Sequence, residues 1–366
     1  MPIPDYESDV MNVLMRNVDT PTLTRLAASS RTLFEKAKNF RREIDHMTIF
    51  MHDHLELRMT ANHHTVISWT VDSLKPDNIM KDHIMKIGDN VFLTSIRESC
   101  SVYEEYDLHS YCDFPSAWLD IVGFIFDIFS PKQLIVRYSH EDSFYRMQEI
   151  LRWDRLNEVD NLMFFHFLQM RISTLVLMAN NLNPKKSLHV QTLKTDGQAH
   201  VFECNRVFTM DTLHWFAPTP WFKARDLLQT TSKAIKVMSE FTFEELNTFI
   251  KQWMRKEREV RQLLCDHSGD VSEQTALYKD LTPLRYKEFK CLNGLGSHDI
   301  VMKFENSDPS CSGHAAKFIE RADGEYGAVF VGKHTFGFAV VSLRNTRLVS
   351  NLAKEDRPAA FPFPDI

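Results

Sequence analysis

The segment Phe241-Thr242-Phe243-Glu244-Glu245-Leu246-Asn247-Thr248-Phe249-Ile250-Lys251-Gln252-Trp253 constrains the fold more than any other part of the chain. Thr242 can cap a helix, and Glu245 can reach back to the Thr242 backbone N–H, which makes a capping box. Phe241 before the cap and Leu246 after it stand at the spacing of a hydrophobic staple. Phe243, Leu246, Phe249, Ile250 and Trp253 then recur at helical spacing, which predicts one apolar face. Glu244, Asn247, Thr248 and Lys251 fall on the other face. Just upstream, Ile235, Lys236, Val237 and Met238 alternate apolar and polar like a half-buried strand. The unit predicted is a strand, a tight turn and an amphipathic helix.

That unit recurs in pattern rather than in letters. Strand-like apolar segments stand at Leu134–Tyr138, Leu162–Phe167, Leu188–Leu193, Thr212–Phe216, Ile235–Met238 and Val260–Cys265. Their starts are roughly 25 residues apart, within the period of leucine-rich and related β/α solenoid units. Helix-like stripes lie between them: Phe144, Met147, Ile150 and Leu151; Ile172, Leu175, Val176 and Ala179; Phe222, Leu227 and Leu228. Short strands alternating with short helices predict an α/β sheet. Two arrangements fit: a repeat-like, leucine-rich-repeat-like sheet whose units must stack to bury their apolar faces, and an ordinary α/β domain of regular spacing.

At 366 residues the chain is long enough for two or three domains. Hydrophobic residues at 43% and charged residues at 25% are those of a globular protein, and 27 Phe predict a phenylalanine-rich core. The formal net charge of −6 opposes adhesion to nucleic acid or an anionic membrane. Lys36, Lys38, Arg41 and Arg42 form the dense basic run, expected as the solvated end of a helix. The start, Met1-Pro2-Ile3-Pro4-Asp5-Tyr6-Glu7, has no basic region followed by an apolar one, so no secretory signal is expected. Trp118 to Phe129 is the most apolar stretch, but Asp120 and Asp127 interrupt it and it is too short to span a bilayer. Cys100, Cys112, Cys204, Cys265, Cys291 and Cys311 are scattered with no C-x-x-C pair, as in an intracellular protein with reduced thiols.

Chemistry-bearing motifs are sparse. His52 and His54 would share a strand face, with His63-His64 close by, but a third metal ligand at a recognisable spacing is missing. Neither a G-x-S-x-G elbow nor a phosphate-binding glycine loop occurs, and Gly294-Leu295-Gly296 is too short for a nucleotide fingerprint. Cys100 and Cys112 have acidic neighbours and His109, yet a free Cys most often serves as a small core residue. The expectation is a protein that is not an enzyme, with no catalytic residues, cofactor or metal.

The N-terminal segment is a separate helical module in this reading. Val10, Leu14, Met15 and Val18 follow helical spacing, Asp19-Thr20-Pro21-Thr22 breaks it, Leu23, Leu26 and Ala27 begin a second stripe, and Leu33, Phe34 and Ala37 mark a third helix running through Lys38. Three short helices bury too little for a strong core of their own. Such a module either offers its leftover apolar face to a partner or docks on its own chain.

The segment Val10 to Phe34 resembles an F-box, the helical motif that binds the adaptor subunit of SCF-type cullin–RING ubiquitin ligases. Val10, Leu14, Met15 and Val18 match its first apolar helix, Asp19 the acidic residue ending that helix, Leu23 and Leu26 its second helix, and Ser30-Arg31 a small residue followed by a basic one. The motif usually opens with Leu-Pro; Tyr6-Glu7 stand at those positions. Leu246-Asn247-Thr248-Phe249-Ile250-Lys251-Gln252-Trp253 is similar to the Leu-Asn-x-Phe-Leu-Lys-x-Trp signature of the second-type F-box-associated domain of nematode-type F-box proteins. Ala316-Lys317-Phe318-Ile319-Glu320-Arg321-Ala322-Asp323-Gly324 resembles that family's Ile-Lys-Arg-x-Asp-Gly hairpin. The resemblance implies a substrate receptor whose adaptor-binding residues are Val10, Leu14, Met15, Val18, Leu23 and Leu26. It implies as partners the adaptor, through it a cullin, and a protein to be ubiquitinated, in cytoplasm or nucleus. It names no substrate-binding residue.

Asp323-Gly324 is also a hairpin signal on physical grounds, because Gly tolerates the positive φ of a type I′ turn. It separates Phe318–Glu320 from Ala328–Val331, and Gly332-Lys333 separates that strand from Phe336–Leu343. Exposed loops are expected from Asp266 to Pro283 and from Asn293 to Gly313. The organisation expected is an F-box-like three-helix module at 1–46, an F-box-associated α/β domain at 47–350 ending in an antiparallel β-meander, and a proline-rich tail at 351–366 that does not fold alone.

Overall fold

The computed structural model describes residues 13–51, 54–62, 64–72, 83–87, 90–98, 106–111, 117–138, 144–196, 207–219, 221–270, 273–285 and 316–341. The fold is mixed α/β with strands predominating. The chain divides into two compact units, Met1–Arg206 with Trp215–Ala217, and Val207–His214 with Pro218–Ile366. Cys100, Cys112, Cys204, Cys291 and Cys311, Gly294-Leu295-Gly296, the loop expected at 293–313 and the proline-rich tail lie outside the described residues.

The first unit opens with a helical segment at 13–17, helix α1 (Thr20–Ser29) and helix α2 (Arg31–Phe40). Strand β1 (Arg42–Met51) follows, so strand structure begins inside the segment expected to be helical. Next come β2 (Leu55–Ala61), β3 (His64–Asp72), β4 (His83–Ile87), β5 (Asn90–Glu98) and β6 (Tyr106–Tyr111). They lead to α3 (Ala117–Ile128), β7 (Phe129–Tyr138), α4 (Phe144–Leu151), β8 (Asn161–Arg171), α5 (Ile172–Asn181) and β9 (Ser187–Asp196). The strand order is β9-β8-β7-β1-β2-β3-β6-β5-β4.

Two kinds of pairing build this sheet. β1, β7, β8 and β9 run parallel, with Leu134, Leu162 and Leu188 side by side and Val136, Phe164 and Val190 in the next matching row. Leu134, Ile135 and Val136 are all buried, the continuous apolar run of a strand covered on both faces. The strands and helices predicted from 134 to 193 are all present, and consecutive strands are neighbours. The antiparallel pairs β1–β2, β2–β3, β4–β5 and β5–β6, with the parallel pair β3–β6, form the other part. Trp69 is fully buried there; its indole N–H donates to Ser110 Oγ at 2.8 Å and its ring meets Phe124 of α3 edge-on at 6.4 Å. The apolar stretch Trp118 to Phe129 thus supplies α3, a core helix. No helix among the described residues is long and apolar enough to cross a membrane.

The second unit contains β10 (Thr212–Pro218) apart from its residues Trp215–Ala217, α6 (Ala224–Gln229), β11 (Ala234–Phe241), α7 (Phe243–Met254), β12 (Gln262–His267), β13 (Leu284–Arg285), β14 (Lys317–Glu320), β15 (Tyr326–Val331) and β16 (Thr335–Val341). Their order is β13-β14-β15-β16-β12-β11-β10. β11 and β12 are parallel, and the meander β14–β15–β16 is antiparallel and joins β12 through β16. Gly324 turns the first hairpin at φ +83, a conformation an L side chain rarely adopts. β12 reaches His267, so the start of the loop expected at Asp266 is strand. His267 is buried, with each ring nitrogen 3.0 Å from a carbonyl, Gly269 for Nδ1 and Gly332 for Nε2.

Candidate functional site

Two constellations correspond to the motifs singled out in the sequence, one in each unit. The first is the N-terminal helical segment. Asp19 caps α1, its Oδ1 accepting from the Thr22 N–H at 2.6 Å, and Pro21 sits in the first turn, where its missing N–H costs nothing. Ser30 is extended and separates α1 from α2. Phe34 of α2 stacks on Phe124 of α3 at 5.4 Å. The helices therefore dock on their own chain.

The basic run lies at the end of α2, where Lys38 and Arg41 are exposed, and its two arginines also bond backbone carbonyls. Arg41 ends α2 at φ 30, and its Nε donates to the Phe126 carbonyl at 3.1 Å. Arg42 donates to the Met15 and Arg16 carbonyls at 3.0 and 3.2 Å, satisfying the end of the helical segment at 13–17. Burial pushes the Arg42 pKa down and the Asp19 carboxylate opposes that shift. These arginines reach backbone carbonyls that are remote in sequence.

Of the predicted adaptor-binding residues, Val10 lies outside the described residues. Met15 and Leu23 are each 1% exposed, and Val18 and Leu26 are half-buried. Leu14 is 43% exposed, and beside it Val13 is 60% exposed. Val13 was off the predicted stripe, and a single exposed valine carries no periodic signal. The helical segment thus divides its apolar residues between packing, by Met15 and Leu23, and solvent, by Val13 and Leu14.

The second constellation unites the two motifs of the other unit. Both halves of the capping box at α7 are made: Thr242 N–H to Glu245 Oε2 at 2.8 Å, and Glu245 N–H to Thr242 Oγ1 at 3.2 Å. Phe241 and Leu246, the staple positions, are buried, as are Phe243, Phe249, Ile250 and Trp253. Phe249 and Trp253 meet the ring of Phe338 on β16 edge-on, at 5.5 and 5.0 Å. A Cβ on Gly327 of β15 would stand 2.5 Å from Phe338 Cε2 and 3.1 Å from Trp253, so this close approach requires glycine.

Trp253 also faces the hairpin. The Arg321 guanidinium lies 5.0 Å from its ring centroid, grips Asp323 with two hydrogen bonds of 2.9 Å, and donates to Glu325. Lys256, just past α7, pairs with Asp323 at 2.9 Å. These contacts hold the Asp323 carboxyl well below the usual carboxylate range. Asn247, expected on the polar face, is instead buried and donates to the carbonyls of Leu277 and Lys279 at 2.7 and 3.0 Å. Arg321 and Asp323 therefore tie the hairpin to the end of α7, while Phe318 packs in a core cluster with Ala316, Tyr326 and Ala328.

Comparison with known proteins reaches the α7 side of this contact. Residues 204–262 match the family described as F-box associated. The span runs through β10, α6, β11 and α7 to the first residue of β12, and includes the capping box and Trp253. It supports an F-box-associated type of domain in this part of the chain and stops short of the hairpin. No curated protein and no solved structure matches the chain. Among the described residues no group of three His, Cys, Asp or Glu could hold a metal ion.

Proposed function

We propose that this protein is the substrate-recognition subunit of an SCF-type cullin–RING ubiquitin ligase. The observation carrying the proposal is the match of residues 204–262 to an F-box-associated family, next to N-terminal helices whose sequence resembles an F-box. In this reading the segment Val10 to Phe34 is the F-box of a nematode-type protein, and the β/α units from β7 to β9 belong to a leucine-rich-repeat-like receptor domain. The chain makes no chemical bond itself. It raises the effective concentration of a target protein beside the ligase's catalytic subunits, in cytoplasm or nucleus. Val13 and Leu14 supply the exposed part of the adaptor contact, Val18 and Leu26 its half-buried margin, and Met15 and Leu23 hold the helices in place.

One observation favours a second reading, an interaction scaffold that does not bind the adaptor: Tyr6-Glu7 stand where the motif has Leu-Pro. Mixing the purified full chain with adaptor and cullin separates the two. Stoichiometric co-elution supports the ligase subunit. The variant Tyr6→Leu with Glu7→Pro is expected to bind adaptor more tightly than the native chain, because Glu7 places a charge in an apolar opening. Negligible binding by both chains overturns the ligase reading in favour of the scaffold.

A further inference from the structure

The sheet of the second unit has one face that packs on α7 and another that α7 does not touch. Phe338, opposite Leu263 of β12, meets Phe249 and Trp253 of α7, and His267 meets Phe243. Side chains alternate across a strand, so Leu264 and Asp266 of β12 face away from α7. Lys236 and Glu240 of β11, which stand opposite Leu264 and Asp266, share that face. Burial along this part of β11 alternates without a break, with Ile235, Val237, Ser239 and Phe241 buried, so Met238 lies on the same face as Glu240. Met238 is 47% exposed, Glu240 is exposed, and Leu264 and Asp266 are half-buried.

The charge on this face selects what it can hold. Glu240 and Asp266 stand side by side on neighbouring parallel strands, which lie about 4.8 Å apart. Among the described residues neither carboxylate has a hydrogen bond or an ion pair. Burial pushes the Asp266 pKa up and the Glu240 charge adds to that, opposed by His267 on the α7 side of the strand and by His334 in the turn before β16. Lys236 is the cation on the same face, two residues beyond Met238 and opposite Leu264. An arriving guanidinium would offset burial and repulsion together, and its planar donors can serve both carboxylates at once. The chain's net charge of −6 favours the approach of a cationic segment. Met238 and Glu240 are two residues apart on one strand, and alternate residues of an extended partner are about 6.6–7 Å apart. A segment laid along β11 therefore sets an arginine over the carboxylates and an apolar side chain over Met238, whose flexible thioether adapts to it.

We propose that this face is a docking surface for an extended basic segment of a partner protein, an arginine meeting Glu240 and Asp266 and an apolar side chain two positions away lying on Met238 and Leu264. The proposal rests on the substrate-receptor reading and gives the received protein a chemistry.

The test is fluorescence anisotropy of the full chain with a labelled peptide repeating arginine-serine-leucine-serine, beside the same peptide with glutamine in place of arginine. The basic peptide is expected to bind saturably, with affinity falling about tenfold on Asp266→Asn, the loss of one charge-assisted pair. Glu240→Gln should weaken binding in the same direction, and Met238→Ser should weaken it less. Glu244→Gln, which removes an equal charge from exposed helix α7, should leave binding unchanged. If Asp266→Asn shifts the melting temperature, Glu240→Gln carries the test, since it alters a more exposed side chain. No saturable binding, equal binding of the glutamine peptide, or indifference to both carboxylate substitutions overturns the proposal. So does an equal loss with Glu244→Gln, which would mean that the charge of the whole chain attracts the peptide. Adaptor binding measured on the same sample separates the two readings. Peptide binding without adaptor binding upholds the surface and overturns the ligase subunit, and the reverse result overturns the surface alone.

Discussion

The N-terminal helical segment and helix α7 are both short amphipathic elements, yet they dispose of their apolar residues in opposite ways. In α7 the stripe is consumed: Phe243, Leu246, Phe249, Ile250 and Trp253 are all buried, and Arg321 covers the face of the indole. In the segment at 13–17 only Met15 is buried, while Val13 and Leu14 remain in solvent. The amphipathic pattern is similar and the outcome differs because α7 meets a sheet with a glycine cleared for it, Gly327 against Phe338 and Trp253. A helix whose stripe is satisfied internally is scaffold. A helix that leaves adjacent apolar residues exposed has surface available to another chain.

The largest expected effect is at the scaffold end. Trp253→Ala should destabilise the protein by about 3–5 kcal/mol, because it removes a fully buried indole and the ring on which Arg321 rests. Chemical denaturation monitored by circular dichroism measures it. A loss below about 1 kcal/mol would place Trp253 outside the cooperative core and break the comparison.

Asn247→Leu comes next. It fits the apolar stripe in volume but leaves the Leu277 and Lys279 carbonyls without their donor. The expected cost is about 1–3 kcal/mol, that of unsatisfied buried polar groups. If the leucine variant is instead more stable, the buried face of α7 is purely apolar in its demands and Asn247 is not the tie to the segment at 277–279.

The Arg321 clamp gives an effect with a definite pH signature. The Asp323 pKa is lowered from 3.8 by its bonds to Arg321 and Lys256. A carboxyl whose folded pKa is depressed contributes stability above its unfolded pKa and loses it as pH falls toward the folded value. Asp323→Asn should therefore melt below the native protein at pH 7, by a gap that is constant down to about pH 5 and narrows below about pH 4. A gap that widens on acidification would show that the clamp is not what holds the hairpin to α7.

The comparison also explains what could be read in advance. The α7 unit was legible because every signal was local: Thr242 and Glu245, Phe241 and Leu246, and the helical stripe lie within one short segment. The parallel strands β7 and β8 are legible as apolar runs, and β9 as Leu188, Val190 and Leu193 among polar residues. Strands β2 and β3 were not identified, although Leu55, Leu57 and Met59 alternate with polar residues and so do Ile67, Trp69 and Val71. Hairpins have no helix between them, so these strands stand outside the strand–helix period of the rest of the chain. Asn247 was assigned to solvent because its type says polar and only the remote carbonyls make its burial favourable. The bonds of Arg41 and Arg42 to remote carbonyls are hidden from the sequence for the same reason.

The smallest expected effect on stability sharpens the comparison most. Val13→Asp and Leu14→Asp replace residues that are 60% and 43% exposed, and surface substitutions of this kind change stability within about ±0.5 kcal/mol. An acidic residue added within so short a helical segment meets no buried wall, so the melting temperature should stay where it is. If the N-terminal helices are an adaptor-binding module, the same substitutions place a charge in an apolar interface, where burying an unpaired carboxylate is unfavourable, and adaptor binding should be lost. Met15→Asp is the internal contrast: at 1% exposure it should unfold the helical segment and lower stability as well as binding. Stability lost with Val13→Asp as with Met15→Asp would mean that Val13 packs on its own chain. In that case both regions are scaffold, and the partner surface lies elsewhere on the molecule.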